Sequence, residues 1–141
     1  MIKKKVLFIC NHNSARSQIA EGLVNHFFKE TWEAKSAGIV STEVNPFAIK
    51  AMKQIGIDIS GHTSKTIDTF KDENFDLVVT MCDSEKGICP FFPGKSNIYI
   101  SFADPSTFEG NDIEKLKVFY RTRDEIKEWL VSNLINYDKK K

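Results

Sequence analysis

The sequence predicts an α/β fold, a parallel sheet covered by helices on both faces, and two features point there. Lys4–Cys10 (KKVLFIC) and Phe75–Met81 (FDLVVTM) are near-continuous apolar runs without alternation, the pattern of strands buried on both sides. Between and after them, apolar residues recur at helical spacing, so strands and helices take turns along the chain.

The elements follow in order. The Lys4–Cys10 run is the first, central strand. From Ser17 onward Ile19, Ala20, Leu23, Val24 and Phe27 share one face of a helix. A short second strand at Ala34–Ser36 ends at Gly38. Pro46 opens a helix carrying Ala48, Ile49, Met52 and Ile55, and Gly56 stops it. Phe75–Met81 is the third strand and Asn97–Ser101 (NIYIS) a weaker fourth. A last helix near Asp112–Asn136 lines up Leu116, Phe119, Ile126, Leu130 and Leu134. No repeat, linker or low-complexity segment divides the chain, so residues 1–141 are expected to form one domain.

Composition narrows the function. A net charge of +1 argues against a nucleic-acid partner, and the basic runs Lys3–Lys5 and Lys139–Lys141 read as solvated ends. No apolar run reaches the roughly 20 residues that span a bilayer, and the start has no cleavable leader pattern, so a cytoplasmic protein is expected. In that reducing compartment three cysteines do not form a structural framework. A monomer is the default for this size.

In a parallel sheet, sites form beyond the carboxyl ends of strands. Cys10 ends the first strand, Cys82 follows the third and Asp104 follows the fourth, so three chemically capable groups share one sheet edge. Between Cys10 and the helix lie Asn11, His12, Asn13, Ser14 and Ala15, then Arg16 and Ser17. Loop N–H groups leading into a helix N-terminus favour an anion, and arginine adds a planar fork matched to a tetrahedral oxyanion. The same field favours a thiolate at Cys10, the attacking species. Ser17 can hydrogen-bond the sulfur, and Asn13 tolerates left-handed backbone and can tie the loop together. Two plainer readings stand beside this one: a cysteine ending a strand as a small core residue, and a Cys-x-His metal pair. The pair lacks the paired spacing of zinc sites, and no metal is expected. Cys-x5-Arg-Ser directly after a buried strand favours the nucleophile.

"CNHNSARSQIAEG" resembles the phosphate-binding loop and following helix of the low-molecular-weight protein tyrosine phosphatase superfamily. The resemblance continues through "SAGIVSTEVNPFAIKAMKQIGIDISGHTS", "DLVVTMCD", "DPS" and the final helix. It implies a three-layer sandwich around a four-stranded parallel sheet of order 2-1-3-4. It also implies Cys10 as nucleophile, Arg16 as oxyanion clamp, Ser17 as thiolate stabiliser and Asp104 as general acid, with residues 11–17 holding substrate.

A phosphatase needs one cysteine, whereas this chain adds Cys82 and Cys89 in "CDSEKGIC". Two incidental thiols and a poorly spaced zinc pair are the plain readings. In a helix, positions seven apart lie about 10.5 Å apart, beyond the roughly 7 Å a disulfide tolerates. A Cys82–Cys89 bridge therefore requires the segment to unwind, which Gly87 and Pro90 permit.

The three-cysteine set resembles the thioredoxin-coupled arsenate reductases, a branch of that superfamily concerned with arsenic detoxification. The resemblance implies a transient Cys10–Cys82 disulfide, its transfer to Cys82–Cys89, and reduction by thioredoxin with no bound cofactor. The alternative is a phosphatase that hydrolyses a phosphocysteine at Cys10. The acid loop "DPSTFEG" speaks against it, lacking the aromatic directly after Pro105 that eukaryotic-type members place beside phosphotyrosine.

The chain departs from the branch in its loop, in its acid motif and at Lys65. His12 stands where these reductases more often carry glycine, Ala15 stands for a cysteine, and Ala103 precedes Asp104 where a second aspartate is usual. Lys65 replaces an acidic residue that in some members helps hold potassium with groups resembling Asn13, Ser36 and Thr63, so no bound potassium is expected.

Overall fold

The computed structural model describes residues 3–81 and 91–134. Within them lie strands β1 (Lys4–Cys10), β2 (Trp32–Gly38), β3 (Leu77–Thr80) and β4 (Ser96–Tyr99). The helices are α1 (Arg16–Phe27), α2 (Pro46–Gln54) and α3 (Asp112–Leu134), with short 3₁₀ turns at Ile67–Phe70 and Pro105–Thr107. The four strands form one parallel sheet in the order β2-β1-β3-β4, as the resemblance implied. No described helix is long and apolar enough to cross a membrane.

β1 is central, and its residues from Val6 to Cys10 are buried. Val6, Phe8 and Cys10 face the larger core, where α1, α2 and α3 contribute Ile19, Leu23, Met52, Phe119, Ile126 and Leu130. Leu7 and Ile9 point the other way, into a smaller cluster with Phe70, Phe75, Val78 and Phe92. Among the described residues that second face is covered by the Ile67–Phe70 turn and by Phe92 rather than by a long helix.

The strand ends differ from the sequence reading for physical reasons. β2 starts at Trp32, earlier than expected, because Glu33 and Lys35 interrupt its apolar pattern at a sheet edge where such charges are tolerated. β3 is shorter, since Asp76 spends its carboxylate on the Lys5 N–H at 2.8 Å. β4 is a half-buried edge strand. Asn45 caps α2, accepting the Phe47 N–H at 2.8 Å just before Pro46. α3 grips the end of α2 through the buried Arg123, which donates to the Ala51 carbonyl and Gln54 Oε1, both at 2.7 Å.

Phe27 corrects the assignment of α1's apolar face. It is exposed, with the Lys127 ammonium 4.3 Å from its ring centre, and Phe28 takes the buried place. From Arg16 to Val24 every residue of α1 is buried, so the helix has no polar stripe to read against.

The register sets Cys10 beside Gly38, where β2 passes against the following loop. A Cβ at Gly38 would lie 2.7 Å from the Asn13 nitrogen and 2.9 Å from the His12 carbonyl carbon and the Val40 oxygen. All three are backbone atoms and cannot step aside. Gly38→Ala is therefore expected to lower the unfolding free energy by about 1–3 kcal/mol, measured as a lower urea midpoint at unchanged slope.

Candidate active site

β1 delivers Cys10 to the carboxyl edge of the sheet, and α1 begins six residues later. Ala15 at the N-cap offers no side-chain hydrogen bond, and the first turn of α1 holds no acidic residue. The positive end of the helix dipole is thus left for an anion. Four successive loop carbonyls are engaged by neighbouring elements. Asn11 accepts from Ile39 N and Val40 N, His12 from Ser64 Oγ, Asn13 from Gln18 Nε2 and Ser14 from Asn45 N. A trans peptide points its N–H opposite its carbonyl, so the N–H groups of His12, Asn13, Ser14 and Ala15 turn to the loop's interior. That is an anion cradle with Cys10 at its base.

Cys10 is 2% exposed, and its Sγ lies 2.8 Å from Ser17 Oγ. Either atom can donate across that contact while Cys10 is a thiol, whereas a thiolate can only accept. Asn13 adopts left-handed backbone (φ 50°), and its Nδ2 donates to Ser17 Oγ and Ser36 Oγ, both at 2.9 Å. Ser17 Oγ already accepts there, so its own hydrogen is free to point at the sulfur, as a thiolate requires.

Arg16 is buried too. One Nη1 donates to the Met81 carbonyl at 3.3 Å and the Phe102 carbonyl at 3.1 Å, and Nη2 lies 3.6 Å from Asp104 Oδ2. The guanidinium therefore ties the chain beyond β3 and beyond β4 to the cradle. Asp104 caps the Pro105–Thr107 turn, its Oδ1 accepting from Ser106 N at 3.0 Å and Ser106 Oγ at 2.7 Å. Cys10, His12, Ser14, Ala15, Arg16 and Asp104, with Thr42, Asn45 and Ser106, line one cavity of about 330 Å³. A second cavity beside it is lined by Asn11, His12, Ile39, Val40 and Asp104.

The sequence-predicted Cys10, Asn11–Ser17 and Asp104 are thus together at one sheet edge. Met81, whose N–H bonds the Ile9 carbonyl, carries the chain up to that edge one residue before Cys82. Cys82, Cys89 and their disulfide pairings lie outside the described residues. His12 is exposed at the mouth, and its backbone carbonyl holds Ser64 Oγ at 2.9 Å.

Sequence reasoning passed over Gln18, Glu21 and His62. Glu21 accepts the Ser36 hydroxyl and lies 3.7 Å from His62 Nδ1, which is also 3.0 Å from Gln18 Oε1. The available signal was a polar pair, Gln18 and Glu21, in a helix otherwise apolar from Ile19 to Val24. Lys65 belongs to the same cluster: its N–H donates to Asn13 Oδ1 at 2.7 Å and its ammonium to the Thr63 carbonyl at 2.7 Å. A potassium ion fits these residues poorly, since the Lys65 ammonium already takes the Thr63 oxygen that would ligate it. Among the described residues no group of three or more His, Cys, Asp or Glu side chains could hold a metal.

A buried cysteine at the base of an oxyanion cradle, on a parallel sheet of order β2-β1-β3-β4, defines a class of thiolate enzymes acting on tetrahedral oxyanions. The chain belongs to the low molecular weight phosphotyrosine protein phosphatase family, whose model matches residues 5–140. It is 49% identical over 127 residues to the arsenate reductase of Halalkalibacterium halodurans, covering 89% of this chain and 91% of that one. A solved arsenate reductase in the phosphate-binding state superposes with a TM-score of 0.71 at 34% identity, covering 92% of this chain and 95% of that one. The thioredoxin-dependent arsenate reductase of Corynebacterium glutamicum superposes with a TM-score of 0.59 at 30% identity, covering 93% of this chain and 64% of that one.

Proposed function

We propose that this chain is an arsenate reductase that turns arsenate into arsenite at the expense of two of its own thiols, with thioredoxin as the external reductant. The observation that carries the reading is Cys10 Sγ under the Ser17 hydroxyl at the base of a cradle whose anion clamp is Arg16. The identity to curated arsenate reductases supports the choice of substrate.

The steps balance as follows. Cys10 thiolate attacks arsenic, a sulfur–arsenic bond forms, and one oxygen leaves as water with a proton from Asp104. Cys82 thiolate then attacks Cys10 Sγ. The sulfur–arsenic bond breaks with its electron pair left on arsenic, so As(V) becomes As(III) and a Cys10–Cys82 disulfide forms. Cys89 attacks Cys82, freeing Cys10 and leaving Cys82–Cys89 for a thioredoxin dithiol. Arg16 and the interior N–H groups hold the oxyanion throughout. The site works in one domain, as a monomer in the cytoplasm, where thioredoxin and free thiols are available.

Phosphate ester hydrolysis on the same cradle is the second reading, which the family match favours. Ser106, rather than an aromatic ring, lines the cavity after Pro105, so little there would stack on phosphotyrosine. Arsenate-dependent NADPH consumption with thioredoxin and thioredoxin reductase tests the proposal. Cys89→Ser is expected to abolish steady-state turnover while a single equivalent of arsenate still consumes two thiols. Unchanged turnover in that variant contradicts the relay, and unchanged thiol counts in the native chain contradict arsenate reduction itself.

A further inference from the structure

We infer that Gln18 is a positioning residue for Cys10, holding Asn13 in the conformation that makes Ser17 donate to the sulfur. Gln18 is fully buried in the first turn of α1. Its Nε2 lies 2.9 Å from Asn13 Oδ1, 3.1 Å from the Asn13 carbonyl and 3.0 Å from the Thr63 carbonyl. One amide group thus engages both the side chain and the backbone of the residue that carries the loop's positive φ. A left-handed non-glycine residue persists only when its surroundings over-determine it.

The polarity of the network can be followed from end to end. Three oxygens surround Gln18 Nε2, so Oε1 is the end that faces His62 Nδ1 at 3.0 Å, a contact made in the tautomer or charge state with a hydrogen on that nitrogen. Asn13 Oδ1 accepts from Gln18 and from the Lys65 N–H, so its Nδ2 is turned to Ser17 and Ser36. Ser17 Oγ accepts from Asn13 and lies 2.8 Å from Cys10 Sγ, to which it is the donor once that sulfur is a thiolate. Lys65 N–H fixes which end of the Asn13 amide is oxygen, and Gln18 fixes where that amide sits. Gln18 touches neither sulfur nor oxyanion and acts through Asn13.

The charged and titratable groups around the network are known. Arg16, Asp104 and His12 surround Cys10 in the cavity. His62, with Glu21 at 3.7 Å, adjoins Gln18, and Asp58 shares the cavity wall with His62. Lys65 reaches the Thr63 carbonyl from the far side.

Gln18→Met keeps a side chain of similar length and removes both N–H donors. The test measures iodoacetamide alkylation of Cys10 against pH in the full chain, read on the Cys10 peptide by mass spectrometry. The pH midpoint is expected to rise by about one unit, the size of losing a hydrogen bond to the charged form. Asn13→Ala is expected to raise it at least as far, and the Asn13→Ala/Gln18→Met double variant no further than Asn13→Ala alone. An unchanged midpoint in folded Gln18→Met overturns the inference, as does full additivity in the double variant, because Gln18 would then act without Asn13. A lower melting temperature with an unmoved midpoint is the signature of a merely structural residue and also overturns it.

The unsubstituted protein gives a second reading should Gln18→Met fail to fold. The Gln18 side-chain amide resonances of ¹⁵N-labelled protein are expected to shift with the Cys10 midpoint and to lose that component in Cys10→Ser. Absence of any such component overturns the assignment. The inference rests on Cys10 as the attacking sulfur, common to reductase and phosphatase readings. Neither measurement uses arsenate, so its failure and that of the reductase proposal are told apart.

Discussion

Cys10→Ser is expected to consume no thiol when arsenate is added and to show no arsenate-dependent NADPH oxidation above background. A serine hydroxyl in the same cradle is held by the same Ser17 and the same helix end, yet it is not ionised at neutral pH and makes no stable sulfur-type adduct with arsenic. The cradle itself is built from backbone groups and Arg16, so phosphate should still bind, measured as protection against thermal unfolding. The pair of readings separates chemistry from binding. If arsenate still oxidised Cys82 and Cys89 in this variant, the first attack would have to occur outside the cradle.

Arg16→Lys is expected to lower kcat/KM for arsenate by about two to three orders of magnitude, the scale seen when one oxyanion donor is removed. Lysine keeps the charge but not the planar fork, so it cannot address an oxyanion with two parallel N–H groups. It would also give up part of the bonding to the Met81 and Phe102 carbonyls, which hold the chain beyond β3 and β4 against the cradle. Each buried carbonyl left without its donor costs about 1–3 kcal/mol, so a lower urea midpoint should accompany the lost activity. A variant with full stability and full activity would show that Arg16 neither clamps the anion nor staples the strand ends.

The central strand and the cysteine loop were legible because each rests on local pattern: a doubly buried run has no alternation, and Cys-x5-Arg-Ser has fixed spacing. The ends of β2 were not, because Glu33 and Lys35 break the apolar pattern while edge position still allows pairing. Phe27 and Phe28 are adjacent phenylalanines at the end of α1, and tertiary packing puts Phe28 in the core while Phe27 turns outward beneath Lys127. The cluster of Gln18, Glu21, His62 and Lys65 joins α1 to the loop at 62–65, a contact over more than forty residues that no local window contains. Asn13 was expected to tolerate left-handed backbone, and it does so at φ 50°. His12 was noted as unusual, and the structure places it at the mouth rather than deep in the cradle.

Helix α1 has no solvent side over its first nine residues. Most helices can drift in sequence along an exposed stripe, but here one flank supports the cradle and the others are packed in the core. The described side chains of the chain leave no buried polar atom without a partner, so a change at Ser17, Gln18 or Glu21 strands a donor or acceptor elsewhere. Substitution is therefore expected to be tolerated better at the rim, where His12, Val40 and Ser106 line the cavities without belonging to the helix.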